Sequence, residues 1–488
     1  MLFNSYEFIF LFLPLSLIVY FWLNQKKLTQ AAKAWLVFVS LFFYSWWDIS
    51  YLPLILGSIL FNFAIGTTIS RSSKKAKPSL HHLSLLTFGI ISNLALLGYF
   101  KYTDFFIGNL NTLAGTDYPL LHIILPLGIS FFTFTQIAYL VDAYKGEVHE
   151  IDYLNYTLFV TFFPHLLAGP ILHHKEMMPQ FDMPRKKILN YKNLSSGLFL
   201  FAIGLFKKTI IADTFALWAN VGFETTRILT LFEAWATSLS YTFQLYFDFS
   251  GYTDMALGIA LMFNITLPLN FNSPYKALNI QDFWRRWHMT LSRFLRDYIY
   301  IPLGGNKQSE AKTYANLFIV FLVGGLWHGA SWMFVLWGAL HGVAIVLHRI
   351  WQRFGTKMPK LFAWFITFNF VNITWIFFRA ETWDKAVNIL QGMMGLQGIM
   401  FDRGVAKTLA FMTQYGVTFG NFLDDGNSGK GALKAVLVAL IFTLWAKNSQ
   451  EWLRDFKPNY KYFMFTVVIM FWCITQLNHV KSFLYFNF

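Results

Sequence analysis

Apolar runs of about twenty residues, the length a helix needs to cross the hydrocarbon core of a bilayer, recur from one end of the chain to the other. Clear runs cover residues 6–23, 49–69, 83–100, 119–141, 361–378 and 462–477. Less regular runs cover 34–47, 194–211, 234–263, 314–337 with its continuation, and 435–445. Several are short or crowded with glycine, proline and polar residues, and such backbone must be buried in protein or line a cavity. The pattern predicts an all-α polytopic membrane protein with about ten or eleven transmembrane helices, plus re-entrant or interfacial helices. Hydrophobic patterning is weakest over 381–434, which reads as a long loop with short helices.

Charge placement predicts the orientation. Lys26, Lys27 and Lys33 follow the first run, no basic residue joins the second to the third, and Arg71, Lys74, Lys75 and Lys77 come next. This alternation puts the N-terminus outside and the basic loops in the cytoplasm, including residues 173–193 with Lys175, Arg185, Lys186, Lys187 and Lys192. The first run follows MLFNSYE, with no basic leader and no small-residue cleavage site, and reads as a retained span.

Composition agrees. The 488 residues include 39 basic and 25 acidic side chains, and only 13% are charged, against roughly 25% in a soluble domain. That excludes a soluble globule and a disordered chain, and favours one integral membrane domain over 1–488. The net charge of +14 sits in loops between apolar runs, so it points to the lipid bilayer rather than to nucleic acid. The single cysteine, Cys473, excludes an intrachain disulfide, a redox pair or a thiolate zinc site.

Three segments place polar and ionisable side chains inside apolar sequence, where burial is costly and function is the first reading. In YTFQLYFDFSGYTDMALGIALMF, residues 241–263, Gln244, Asp248 and Tyr252 share one helical stripe and Asp254 points elsewhere. Asp248 and Tyr252 are candidate substrate contacts or hydrogen-bonded packing groups. In DFWRRWHMTLSRFLRDYIYIPLGGN, residues 282–306, Trp284, Trp287, Leu291 and Tyr298 recur at helical spacing among Arg285, Arg286, Arg293 and Arg296. This predicts an amphipathic interfacial helix over 282–297, its arginines suited to a donor's phosphates or to lipid headgroups. His288 within it is a functional group or a histidine that serves one structural hydrogen bond. In GGLWHGASWMFVLWGALHG, residues 324–342, His328 lies in an apolar helix beside Trp327. Burial there favours the neutral imidazole that a general base requires. Gly324, Gly325 and Gly329 permit close backbone approach, and Gly338 and Gly342 form a GxxxG pair. His341, about 20 Å further along an unbroken helix, reads as structural unless that helix breaks.

HExxH, GxSxG, Walker and dinucleotide-binding motifs are missing, which removes the usual support for metalloprotease, serine hydrolase and nucleotide-driven pump. His81-His82 and His173-His174 are loop pairs without the carboxylate spacing of a built metal site, so no metal and no bound cofactor is expected.

The segments MLFNSYEFIFLFLPL, NLALLGYFKY, LPLGISFFTFTQIAYLVD, FVTFFPHLLAGPIL, QLYFDFSGYTDMALG, DFWRRWHMTLSRFLRDYIYIPLGGN, LVGGLWHGASWMFVLWGALHG and WIFFRAE resemble the membrane-bound O-acyltransferases, in particular the branch that acetylates alginate. The resemblance is dense over about 90–380 and weakens over 381–488. It implies a helical ring around a central funnel. It also implies that His328, in its WHG context, is the catalytic histidine and that His288 is a second required one. Trp284, Arg285, Arg286 and Trp327 then become candidate substrate contacts, with the arginines toward the donor's phosphates and hydrogen-bond donors near His288 toward an oxyanion. The implied reaction moves an acetyl group from a cytosolic thioester, acetyl-CoA or an acyl carrier protein, to an exported polysaccharide, with an extracytoplasmic acetyl-transfer protein as partner. The implied location is the bacterial plasma membrane. D-alanyl transfer from a carrier protein is the rival within the enzyme class. A glycan transporter, supported by many broken apolar runs, and a scaffold that anchors a synthase are rivals outside it.

Overall fold

A computed structural model describes residues 1–73, 80–148, 151–424, 429–479 and 483–484. The chain is all-α and polytopic, because a backbone crossing lipid must satisfy its polar groups internally and a helix does so within one segment. Among the described residues the only sheet is a two-stranded parallel one, Ile399–Asp402 beside Val417–Gly420. Among the described residues six helices are long and apolar enough to cross a membrane: Phe8–Gln25, Ile49–Arg71, Leu80–Ala114, Tyr191–Glu224, Trp332–Arg353 and Lys360–Arg379. A bent pair, Gly431–Trp445 with Ser449–Asp455, makes a seventh if it counts as one span. The predicted 234–263 run forms a continuous helix of 32 residues, Leu231–Met262, outside this set, and other predicted runs are shorter or interrupted. Thr29–Ser45 and Tyr460–Gln476 have 17 residues each, and in the 119–141 run the helix starts only at Ile129. Lys74, Lys75 and Lys77, and Asp425 to Ser428 of the weak region, lie outside the described residues.

The chain divides into two compact units. The first comprises Met1–Leu205, Tyr252–Leu269 and Leu453–Phe488. An aromatic cluster of Phe3, Phe8, Phe43 and Phe163 fills its centre, with ring centroids 5.0–6.1 Å apart. Two buried amides pair with each other across helices, as the lack of water in hydrocarbon favours: Asn93 Nδ2 donates to Asn62 Oδ1 at 2.7 Å and Asn62 Nδ2 returns a bond at 3.1 Å.

The second unit comprises Phe206–Gly251 and Asn270–Trp452. Its backbone is a hairpin of Glu310–His328 and Trp332–Arg353. The helices touch through glycine: a Cβ at Gly338 would sit 2.5 Å from the Phe321 carbonyl oxygen and 3.1 Å from Gly325 Cα. The small residues predicted for close approach therefore face each other. The turn is tight because Gly329 is extended (φ −166°, ψ 155°) and the Ser331 hydroxyl caps the second helix by accepting from Met333 N–H at 3.1 Å.

One expected element differs. The amphipathic pattern over 282–297 is not one helix but two short ones, Ile280–Trp284 and Met289–Leu295, followed by a widened turn over Arg296–Tyr300. The break falls at His288, whose φ of 44° and ψ of 52° lie in the left-handed region. A non-glycine residue holds that conformation only when its surroundings impose it. The 270–272 segment does so: Met289 N–H donates to the Asn270 carbonyl at 3.0 Å, and Asn272 N–H donates to the Arg286 carbonyl at 2.9 Å.

Candidate active site

His328 is the last residue of the Glu310–His328 helix and is buried. Its ring packs against Trp327, Trp337 and Phe378, with centroids 4.9, 5.1 and 5.1 Å away. Gly329 keeps the turn clear, because a Cβ there would meet the Phe334 ring at 2.1 Å.

His288 is fully buried. Its Nδ1 lies 3.1 Å from Asn270 Oδ1, which also accepts from the Thr290 backbone N–H at 3.2 Å and the Thr290 hydroxyl at 2.9 Å. A backbone N–H can only donate, so the carboxamide atom facing it is the oxygen, and His288 must bring its hydrogen on Nδ1. Burial pushes the imidazole down to about 3, which makes it neutral at physiological pH and leaves a lone pair on Nε2. Phe249 stands edge-on to the ring at 4.8 Å. Trp327 lies 6.2 Å from it, centroid to centroid. One indole thus contacts both histidines.

His341 has a different character. The Trp284 indole N–H donates to His341 Nδ1 at 3.2 Å. The ring hydrogen is then on Nε2 and goes to Thr374 Oγ1 at 3.1 Å, while that hydroxyl donates to the Val371 carbonyl at 2.9 Å. Both nitrogens are used, so His341 is structural. The helix does break after His328, however, and His341 and His328 both pack on Trp337, with centroids 4.8 and 5.1 Å away.

The same Trp284 walls a cavity of about 560 Å³ into which Arg285, Arg293, Arg296 and Arg349 project, with Ser292 and Gln352 beside them. Among the described residues lining it there is no carboxylate. Of the two arginines singled out from the sequence, Arg285 is in this wall and Arg286 is not. Arg286 pairs with Asp282 at 2.8 Å and donates to the Asn272 carbonyl at 3.3 Å. Arg349 escaped sequence reasoning, and its signal was the HRIWQR run closing an otherwise apolar helix. Asn270 escaped as well, since an asparagine in a loop carries no pattern.

The two remaining candidates have other partners. Asp248 is ion-paired with Lys208 at 2.7 Å, and Lys208 also holds Asp213 at 2.8 Å. Tyr252 belongs to the first unit, where it stacks between Phe3 and Phe483 at 4.9 and 4.6 Å.

Buried histidines in an aromatic setting, beside a cationic cavity in a polytopic helical protein, are the equipment of a membrane-embedded group transferase. Residues 8–380 match the membrane-bound O-acyltransferase family, and the chain belongs to it. It is an O-acyltransferase. It is similar to the peptidoglycan O-acetyltransferase of Helicobacter pylori, 52% identical over 82% of this chain and 81% of that one. It is also similar to a probable alginate O-acetylase of Pseudomonas syringae pv. tomato, 40% identical over 94% of this chain and 83% of that one. The teichoic acid D-alanyltransferase of Bacillus subtilis is more distant, 29% identical over 50% of this chain and 66% of the other.

Proposed function

We propose that the protein transfers an acetyl group from a cytosolic thioester to hydroxyl groups of a cell-envelope polysaccharide. The observation that carries this reading is the continuous run of packed rings from the arginine-lined cavity to the two histidines: Trp284, His341, Trp337, His328, Trp327 and His288. The cavity suits the phosphates of acetyl-CoA, since guanidinium groups bind phosphate with directed, charge-assisted hydrogen bonds. Leu317 and Phe321 line it on the helix that ends at His328. At 1.5 Å per residue they stand about 10–17 Å short of that histidine, a span for an extended thioester arm.

In the chemistry that follows, the acceptor oxygen bonds to the thioester carbonyl carbon as His328 takes the hydroxyl proton. The carbon–sulfur bond then breaks, and the imidazolium returns the proton to the departing thiolate. Neutral His288 presents an acceptor at Nε2, so it orients a donor group, either the attacking hydroxyl or an amide of the thioester arm. It does not stabilise an oxyanion. The Trp327 indole, which can only donate, is the group suited to that.

The basic loops support a donor on the cytoplasmic side of a bacterial plasma membrane, with the N-terminus outside and the acceptor on the opposite face. The peptidoglycan and alginate activities of the relatives support an exported glycan as acceptor, reached directly or through an extracytoplasmic acetyl-transfer protein. The test uses purified protein in nanodiscs with radiolabelled acetyl-CoA and envelope extract. Acetyl transfer that depends on His328 is expected. A folded wild type that consumes a carrier-protein thioester but not acetyl-CoA overturns the donor assignment.

A further inference from the structure

We infer that Asn270 is a positioning residue for acyl transfer: its carboxamide oxygen fixes His288 in the tautomer with hydrogen on Nδ1 and so presents the Nε2 lone pair to the reacting groups. The inference rests on the reading of His288 as a participant in the transfer, and three observations carry it.

The first is the convergence on one atom. Asn270 Oδ1 accepts from His288 Nδ1, Thr290 N–H and Thr290 Oγ1. These donors on both sides of the acceptor leave the amide no freedom to rotate. The second is the main-chain clamp. The Asn270 carbonyl accepts from Met289 N–H, so one residue grips positions 288 to 290 through both its backbone and its side chain. This is what holds His288 at a positive φ, a strained conformation that surrounding structure must offset. The third is that the other half of the amide goes unused. Asn270 is fully buried, yet its Nδ2 has no hydrogen-bond partner among the described residues. An unmatched buried donor is unfavourable, because it gives up its bonds to water without replacement. A side chain retained only for packing would not carry it, whereas one needed for its oxygen must.

Fixing the tautomer matters because the two neutral forms of imidazole offer opposite groups at Nε2. With hydrogen on Nδ1, Nε2 accepts; with hydrogen on Nε2, it donates and cannot receive the bond from a hydroxyl or amide.

The decisive measurement is 15N NMR of nanodisc-embedded protein labelled at the histidine ring nitrogens, with His288 assigned by its loss in His288→Gln. The expected result is a protonated Nδ1 and an unprotonated Nε2 in the wild type, and a mixture of tautomers in Asn270→Ala. Kinetics provide the second arm. Asn270→Ala lowers kcat by about a hundredfold, as loss of orientation does, with KM for the donor little changed. Asn270→Asp keeps an oxygen acceptor and restores most of kcat. It also moves the acidic limb of the pH profile upward, since a carboxylate beside an imidazole favours its protonation. A purely structural asparagine would not shift that limb. Hydrogen on Nε2 in the wild type, or full kcat in Asn270→Ala, overturns the inference. If the tautomer is as assigned but His288→Gln transfers acetyl at the wild-type rate, the role of His288 in catalysis fails instead, and the positioning role with it.

Discussion

Lys208 Nζ lies 2.7 Å from Asp248 Oδ1, with 4% of one side chain and 2% of the other exposed. The pair is buried near the middle of the Leu231–Met262 helix, and a second carboxylate, Asp213, shares the lysine. Removing one partner of a buried pair leaves the other charge uncompensated and costs about 3–5 kcal/mol. Because Asp213 remains, Asp248→Asn should be milder than Lys208→Met, which strands two carboxylates. Thermal midpoints in detergent check this, and an Asp248→Asn protein less stable than Lys208→Met would refute the shared-lysine arrangement.

His328→Ala should reduce acyl transfer by at least about a hundredfold, the scale of a lost general base, while expression and thermal midpoint stay near wild type. The ring packs against Trp327, Trp337 and Phe378, so His328→Gln, which fills more of that space than alanine, serves as the cleaner variant. Retained turnover in a folded variant would remove the base assignment.

The two neighbouring arginines should behave differently. Arg285→Ala or Arg349→Ala removes a guanidinium from the cavity wall and should raise the donor KM about tenfold, the worth of one charge-assisted hydrogen bond. Arg286→Ala removes a half-exposed ion pair with Asp282, worth at most about 1 kcal/mol of stability, and should leave the donor KM unchanged. Equal effects on KM would mean that the cavity does not hold the donor.

Acid should destabilise the protein partly through His288. Burial holds its imidazole at about 3, against about 6.5 in an unfolded chain. Between those values the unfolded chain binds a proton that the folded one refuses, so stability is present at neutral pH and is lost as pH falls below about 6.5. The thermal midpoint should therefore drop between pH 7 and pH 4, with a shallower drop in His288→Gln. Identical slopes would show that His288 does not titrate on unfolding.

The hairpin should not tolerate added bulk. Gly338→Ala puts a methyl 2.5 Å from the Phe321 carbonyl oxygen, and backbone cannot yield as a flexible side chain can. A loss of about 1–3 kcal/mol is expected, whereas Gly57→Ala, with nothing within 4 Å of the new Cβ, should be neutral or slightly stabilising because alanine is the better helix former. Thermal midpoints of the two variants check the contrast.

The apolar runs, the loop charges and the motifs were enough to determine a polytopic helical membrane protein, two histidines set in apolar sequence, and the glycines that let two helices meet. These features are legible because each is local: a helix's length, a small residue's missing Cβ and an intramembrane histidine's cost are properties of a few consecutive residues. What the sequence misjudged is the amphipathic stretch around His288, where spacing promised one continuous helix. Helical periodicity cannot register a clamp supplied from 270–272, and it is this clamp that breaks the helix. Nor could spacing divide Arg285 from Arg286, or assign Asp248 to Lys208, forty positions away. Only tertiary structure made His341 a bridge between Trp284 and Thr374, brought Trp327 against both histidines and fixed which nitrogen of His288 carries the proton. Those outcomes depend on hydrogen-bond partners distant in the chain, and a donor does not reveal its acceptor until folding brings the two together.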